Sequence, residues 1–172
     1  CSTALKWLNK KNKKKLVKSW TEQEPGVDAS VYFVVHDKKN PISNVINNKK
    51  IMKFAKYLVD SDVYIYSSKV IFKAAWCGAV EYYHQDLVYW KDRGYPKDEM
   101  LSCMIFLEEH DLNNAALHVM PGTHKFGFIK HEPFININGL SKFMIPPSKL
   151  NNLMKKHKLK YIKASPGDVL FF

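Results

Sequence analysis

The protein is a chain of 172 residues, long enough for one compact domain, and its 46% hydrophobic and 25% charged residues exclude a disordered chain. No apolar run reaches the roughly 18–20 residues of a membrane span, and three cysteines are too few for a disulfide framework and favour a reducing, cytoplasmic setting. The formal charge of +11 comes almost wholly from lysine, with Arg93 the single arginine, which does not favour nucleic acid as a partner.

The N-terminal part of the chain, residues 1–59, is predicted to be largely helical. A weak amphipathic helix or basic arm is predicted at 5–20, followed by a strand at 30–35. A longer helix is predicted at 42–59, because apolar residues recur there at helical spacing from Ile51 onwards.

Residues 60–172 are rich in β-forming runs separated by turns. A short helix at 148–158 is predicted to start at Ser148, after two prolines. This pattern predicts a mainly-β fold with N-terminal helices (α+β), in one domain over 1–172 with a β-sandwich or jelly-roll core at 60–172. The predicted strands are 62–73, 79–90, 101–109, 116–120, 160–164 and 168–172, and the predicted turns are PGTH (121–124) and SPGD (165–168).

The triplet His84-Gln85-Asp86 is the candidate metal site. Alternate side chains of a strand face the same side, so a strand here would place His84 and Asp86 together, with Cα atoms ~6.5 Å apart. An imidazole and a carboxylate, joined by a second histidine, form the facial triad of non-haem Fe(II) oxygenases, which leaves three coordination positions open. The alternative is a strand histidine that is bonded only to Asp86 or to a backbone carbonyl.

Four segments together resemble a known family: YYHQDLVYW (82–90), MLSCMIFLEE (100–109), NNAALHVMPGTHKFG (113–127) and SPGDVLFF (165–172). In this order and spacing they are similar to the phytanoyl-CoA dioxygenase family, and within it to the ectoine hydroxylase-like branch. The resemblance runs from about residue 60 to the end, with a variable stretch at 128–160. It implies an oxygenase that uses Fe(II), 2-oxoglutarate and O2 on a double-stranded β-helix, a cupin-like jelly roll.

The resemblance implies iron and cosubstrate ligands at three positions. His84 and Asp86 match the first two iron ligands of the family. Lys73 matches a lysine that binds 2-oxoglutarate in the ectoine branch. Its apolar surroundings, VIFKAAW, support this role, because an inward lysine needs an anion to offset its desolvation. The alternative is an edge-strand lysine that faces water.

Two further positions correspond to the substrate pocket of the ectoine enzymes. Trp90 matches a pocket aromatic and would face the metal at i+4 from Asp86 if the strand continued, although a core tryptophan is the alternative. Ser67 takes the place of a glutamine that contacts substrate, and Ile71 replaces a polar residue beside it. These departures put ectoine in question as the substrate, and leave the iron and 2-oxoglutarate chemistry unchanged.

Two residues that the resemblance implies are not among the 172. The third iron ligand would be a histidine a few residues beyond GDVLFF, followed by an arginine for the distal carboxylate of 2-oxoglutarate. Arg93 does not match that arginine, so we expect the chain to continue beyond Phe172 with the last strands of the roll; the alternative is a degenerate relative that cannot hold iron firmly. His124 belongs to a structural turn in the family and has no metal role. The histidines without motif support, predicted to be solvated or locally bonded, are His110, His118, His131 and His157.

The leading function hypothesis is hydroxylation of a C–H bond in a small-molecule substrate, with release of succinate and CO2. A carboxylate at position 86 favours hydroxylation, because related halogenases have a small residue there. The alternative is a non-catalytic jelly-roll module that holds an acidic partner through the lysine runs 10–18 and 155–163, which otherwise form a solvated face. The substrate depends on loops such as 91–99 and 128–147, and neither it nor the oligomeric state is predicted from the sequence.

Overall fold

The computed structural model describes most of the chain, in two compact units. The first unit gathers Cys1–Gly78, Leu101–Glu109 and Ser165–Phe172, and the second Ala79–Met100 and His110–Ala164. No helix of the described part is both long and apolar enough to cross a membrane. The described residues are Lys6, 20–24, 27–33, 39–73, 81–94, 100–114, 116–135 and 141–172, with the backbone alone described for 20–24, 27–33, Phe72 and Lys73.

An antiparallel sheet of three strands lies in the first unit: β1 (Trp20–Glu24), β2 (Val27–Phe33) and β3 (Lys69–Lys73). β2 is central, and its Val31 has Trp20 and Ile71 as partners on its two sides. The predicted N-terminal part, 1–59, therefore contains two strands as well as helices. Most of the predicted helix or arm at 5–20 lies outside the described residues.

Two helices replace the single predicted helix at 42–59. They are α1 (Pro41–Ile46) and α2 (Lys49–Val59). Asn48 interrupts the helical pattern, because its backbone is extended (φ −63°, ψ 127°) and its side-chain oxygen accepts a 2.9 Å hydrogen bond from the N–H of Lys50. An asparagine in this position caps the start of a new helix, so apolar periodicity alone could not place the break.

A second, two-stranded antiparallel sheet closes the first unit. β4 (Cys103–Ile105) pairs with β9 (Val169–Phe171). The backbone of Phe106 continues this pairing, since its N–H donates to the carbonyl of Asp168 (3.1 Å) and its carbonyl accepts from the N–H of Gly167 (2.8 Å). Gly167, with φ +104°, adopts a conformation that glycine reaches without strain, as the predicted SPGD turn requires. The buried apolar side chains described in this unit are Ile42, Val70 and Phe106.

The described part of the second unit contains two short antiparallel sheets and one α-helix. α3 (Pro147–Lys156) begins at Pro147, with Pro146 as its N-cap, so Ser148 does not start it as predicted. Proline is favoured in the first turn because backbone N–H groups there have no partner within the helix, so its lack of an N–H costs no hydrogen bond. The strand pairs are β5 (His118–Val119) with β8 (Lys160–Tyr161) and β6 (Glu132–Ile135) with β7 (Ser141–Met144), and the 3-10 helices are Asp86–Tyr89, Lys91–Arg93 and Thr123–Phe126.

Most predicted strands are longer than the observed ones: only 103–105 of the run 101–109, 118–119 of 116–120 and 160–161 of 160–164 are strands. Of the run 62–73, Lys69–Lys73 form a strand that pairs with β2, and 62–68 are irregular. In the run 79–90, residues 81–85 pair with no strand and a 3-10 helix follows them. The few helices and small antiparallel sheets confirm a mainly-β fold, and the jelly roll stays a prediction.

Candidate metal centre

His84 and Asp86 lie where the backbone of the second unit changes conformation. Gln85 between them is extended (φ −102°, ψ 130°), and the 3-10 helix begins at Asp86. The side chains nevertheless meet: Nε2 of His84 is 3.4 Å from Oδ1 of Asp86. The two side chains are 23% and 41% exposed, so both are partly open to solvent.

The second imidazole nitrogen of His84 is held by the backbone. Its Nδ1 lies 2.7 Å from the carbonyl oxygen of Tyr82, so Nδ1 carries the proton that is donated there. The hydrogen bond to Asp86 raises the pKa of His84, against the effect of burial, which lowers it. These are the two contacts that the non-metal interpretation of the triplet predicts. They also suit a metal ligand, because a carbonyl on Nδ1 directs the Nε2 lone pair outward.

The geometry of this pair fits a cation. Two cis ligands ~2.1 Å from an octahedral metal ion are ~3 Å apart, close to the observed separation of Nε2 and Oδ1. The raised pKa of His84 also fits a cation, because the carboxylate of Asp86 that raises it favours a positive charge at Nε2. Within the described ranges no group of three or more His, Cys, Asp or Glu residues could hold a metal ion, so this part of the chain offers two donors to such a centre.

Gln85 is fastened to the segment 127–131, which we call the 127–131 loop. Its backbone N–H donates to Nε2 of His131 at 2.9 Å. Its side-chain amide donates to the carbonyl of Gly127 and accepts from the N–H of Ile129, both at 2.8 Å. Sequence reasoning missed Gln85 altogether and assigned His131 no role, because nothing in a lone glutamine or histidine indicates a partner more than 40 residues away.

Residues on either side of the triplet are anchored to β6, β7 and the residue after β7. The ring of Tyr89 meets the imidazole of His84 edge-on, with centroids 5.6 Å apart, which limits rotation of the imidazole. The remaining contacts are the ion pair of Glu81 with Lys142, the edge-on rings of Tyr82 and Phe134, the hydrogen bond from the Ile145 N–H to the Tyr83 carbonyl, and the edge-on rings of Tyr89 and Phe143.

The other predicted site residues have different surroundings. Trp90 ends the 3-10 helix, so the strand argument that placed it on the metal-facing side is wrong; the guanidinium of Arg93 lies 5.3 Å from the centroid of its ring. Ser67 is exposed in the irregular segment before β3. Lys73 is the last residue of β3, where its backbone pairs with Ala29. The roles of all three stay predictions.

The four histidines without motif support are all hydrogen-bonded, and three of them bond to groups at least 35 residues away, which the prediction of solvated or locally bonded side chains did not include. Buried His131 is the one described above, in contact with the backbone of Gln85. His124, in the PGTH turn, is exposed. The other three bond to the Leu117 N–H (His110), the Tyr83 hydroxyl (His118) and the Pro121 carbonyl (His157).

Only one of the two lysine runs of the binding-module alternative lies within the described residues. The run 10–18 lies outside the described residues. In the run 155–163 every lysine is exposed, which fits a solvated face as well as a docking surface. No contact in the described part distinguishes these two uses, so this alternative receives no support beyond charge.

Comparison with known protein families identifies the family of this chain. The family Phytanoyl-CoA dioxygenase (PhyH) matches residues 8–172. The chain therefore belongs to the phytanoyl-CoA dioxygenase family, a family of non-haem iron, 2-oxoglutarate-dependent oxygenases. The membership predicted from the four sequence segments is confirmed.

Its relatives among curated proteins include several ectoine dioxygenases. The protein of that name from Stutzerimonas stutzeri is 30% identical over 109 residues, which cover 63% of this chain and 36% of the relative. The one from Sphingopyxis alaskensis is 24% identical over 147 residues (81% and 48%), and the one from Bordetella bronchiseptica 24% over 157 residues (87% and 51%). The chain thus spans about a third to a half of the length of these relatives.

Acid is expected to destabilise the fold through His131. Burial lowers the pKa of His131, so the unfolded chain takes up its proton more readily than the folded one. The stability contributed by neutral His131 is therefore fully present above about pH 6.5 and is lost as the pH falls through the lowered pKa. His84, whose pKa is raised, contributes in the opposite direction.

The variant His131→Gln isolates this effect, because a carboxamide does not titrate. Urea unfolding of the metal-free protein between about pH 7.5 and about pH 5 should show wild type losing free energy of unfolding relative to the variant. A difference that stays constant over this range would contradict the assignment of a buried neutral imidazole.

Proposed function

We propose that this protein is an Fe(II)- and 2-oxoglutarate-dependent dioxygenase that hydroxylates a C–H bond of a small-molecule substrate and releases succinate and CO2. The observation that carries the proposal is the convergence of His84 Nε2 and Asp86 Oδ1 at 3.4 Å in a chain of the phytanoyl-CoA dioxygenase family. In this proposal residues 1–172 belong to one cytoplasmic oxygenase domain with a jelly-roll core.

His84 and Asp86 are the proposed iron ligands. When bound, Fe(II) activates O2 for C–H hydroxylation, with 2-oxoglutarate as the reductant that is decarboxylated. The chain contributes a neutral imidazole whose Nε2 lone pair is directed by the Tyr82 carbonyl, and a carboxylate whose charge offsets that of the cation. Because Asp86 also raises the pKa of His84, binding of the metal must displace a proton in mildly acidic solution.

The family resemblance assigns proposed roles to three further residues, Lys73, Trp90 and Ser67. Lys73 would pair with a carboxylate of 2-oxoglutarate. Trp90 and Ser67 would contact the substrate, and a serine offers a shorter hydrogen-bonding group than a glutamine. The ectoine dioxygenase relatives make a small polar molecule the substrate class to test, with ectoine as one candidate among several.

Iron dependence tests this proposal directly. The full-length protein, stripped with a chelator, should bind Fe(II) anaerobically and bind 2-oxoglutarate only after Fe(II) is present, as calorimetry would measure. In air, with ascorbate supplying the two electrons that substrate would otherwise supply, succinate should form from 2-oxoglutarate with Fe(II) and should stop when the chelator is restored. The proposal fails if the protein neither binds Fe(II) nor forms succinate; salt-sensitive binding of an acidic polymer in such a protein would favour the binding-module alternative.

A further inference from the structure

The peptide between the two proposed ligands is hydrogen-bonded to the 127–131 loop. Three hydrogen bonds of 2.8–2.9 Å join Gln85 to this loop, through its backbone N–H and both ends of its carboxamide. The carboxamide thus pairs with the loop as a backbone amide would in a sheet. The loop thus binds the backbone N–H, one carboxamide N–H and the carboxamide oxygen of Gln85. The backbone carbonyl of Gln85 accepts a hydrogen bond from the N–H of Val88.

His131 is itself fixed in one tautomer and one orientation. Its Nδ1–H donates to the carbonyl of Ile129 at 2.5 Å, so Nε2 is the acceptor for the Gln85 N–H. The imidazole stacks on Phe128 with ring centroids 5.4 Å apart, and the residue is only 7% exposed. Both ring nitrogens are engaged, so His131 acts as an acceptor for the backbone rather than as a metal donor.

Gly127 allows the loop to reach Gln85. Its backbone (φ 68°, ψ −160°) lies in a region that is open to glycine and strained for other residues. This conformation turns its carbonyl toward the side-chain amide of Gln85, 2.8 Å away. The conformation of the loop therefore depends on Gly127, and the hydrogen bonds of His131 hold the loop against Gln85.

We propose that Gln85 and His131 are positioning residues that set the separation and direction of the two proposed iron ligands, an inference that rests on the proposed function. The side chains of His84 and Asp86 leave the backbone on either side of the two peptide planes of Gln85, so rotation of these planes changes the separation and direction of the donor atoms. The hydrogen bond from the Gln85 N–H to His131 opposes rotation of the plane shared with His84. The carboxamide bonds oppose movement of the whole residue away from the loop.

Replacing His131 by phenylalanine keeps a ring and removes both nitrogens. We expect His131→Phe to weaken Fe(II) binding by about 10–100-fold, as loss of groups that orient metal ligands does elsewhere. His131→Gln places an oxygen near the position of Nε2 and should restore most of the affinity. Gln85→Met, which conserves length and removes both carboxamide contacts, should weaken Fe(II) binding in the same range.

Two measurements distinguish positioning from a purely structural role. The first is the Fe(II) dissociation constant from anaerobic titration, at a temperature where each variant is folded. The second is hydrogen exchange of the Gln85 amide in the metal-free protein, which should accelerate in His131→Phe and slow again in His131→Gln. His124→Phe is the matched control, because it makes the same chemical change at an exposed histidine and should alter neither quantity.

The outcomes separate this inference from the proposed function. If wild type binds Fe(II) and both Gln85→Met and His131→Phe bind it equally well, the positioning role is wrong and the oxygenase proposal stands. If wild type binds no Fe(II), both are wrong. Should His131→Phe fail to fold, Gln85→Met decides the question, because Gln85 is only half-buried and its replacement leaves the His131–Ile129 contact in place.

Discussion

Replacing Asp86 by alanine is expected to lower Fe(II) affinity and Fe(II)-dependent succinate formation by at least about 100-fold, since even groups that only orient ligands are worth 10–100-fold. The variant removes the carboxylate that lies 3.4 Å from Nε2 of His84 and leaves the imidazole as a lone donor. Anaerobic Fe(II) titration and measurement of succinate release from 2-oxoglutarate would both report the loss.

Asp92→Ala is the matched control for this prediction. Asp92 lies in the next 3-10 helix, Lys91–Arg93, with its side chain 84% exposed and paired with neighbouring Lys91. Its removal changes the charge of the chain by the same amount and should leave Fe(II) affinity unaltered. Turnover like that of wild type in Asp86→Ala would remove Asp86 from the metal centre.

Phe106→Ala is expected to cost about 3–5 kcal/mol of unfolding free energy, the range found when a buried phenylalanine is truncated. Phe106 is 6% exposed, and both its backbone N–H and its carbonyl are hydrogen-bonded to the turn before β9. The backbone bonds prevent the cavity from closing by local collapse, which places the cost above that of the transfer free energy alone. Chemical denaturation would measure it, together with a fall in Tm of roughly 10 °C.

Tyr64→Ala provides the comparison for Phe106→Ala within the same unit. Its aromatic side chain is 75% exposed, so truncation removes little buried area and should cost less than about 1 kcal/mol. Equal losses in the two variants would mean that Phe106 is not a core residue of the first unit.

Local signals predicted the turns and the helical segments well. Gly167 at φ +104° and Gly122 at φ +85° fall in the predicted turns SPGD and PGTH, because such backbone angles admit few other residues. The apolar spacing that begins at Ile51 predicted α2, although the break at Asn48 depended on a capping hydrogen bond. These features are set within a few residues of chain, which is why composition and spacing suffice to place them.

Strand pairing could not be predicted in the same way. The runs 62–68 and 79–90 have strong β-forming residues, but a strand exists only where a partner supplies backbone hydrogen bonds. Among the described residues, β2 supplies them to Lys69–Lys73. The partner is distant in sequence, so the alternation of side chains gives no information about where pairing ends.

The sequence by itself determined the chemical identity of the candidate centre: an imidazole and a carboxylate one residue apart, in a chain whose motifs belong to an iron oxygenase family. The tertiary structure decided how these groups meet. A 3-10 turn rather than a strand brings Nε2 to within 3.4 Å of Oδ1, and a buried histidine 46 residues away binds the peptide between them. Donor types follow from covalent structure, whereas their directions depend on backbone hydrogen bonds that form only when distant segments pack together.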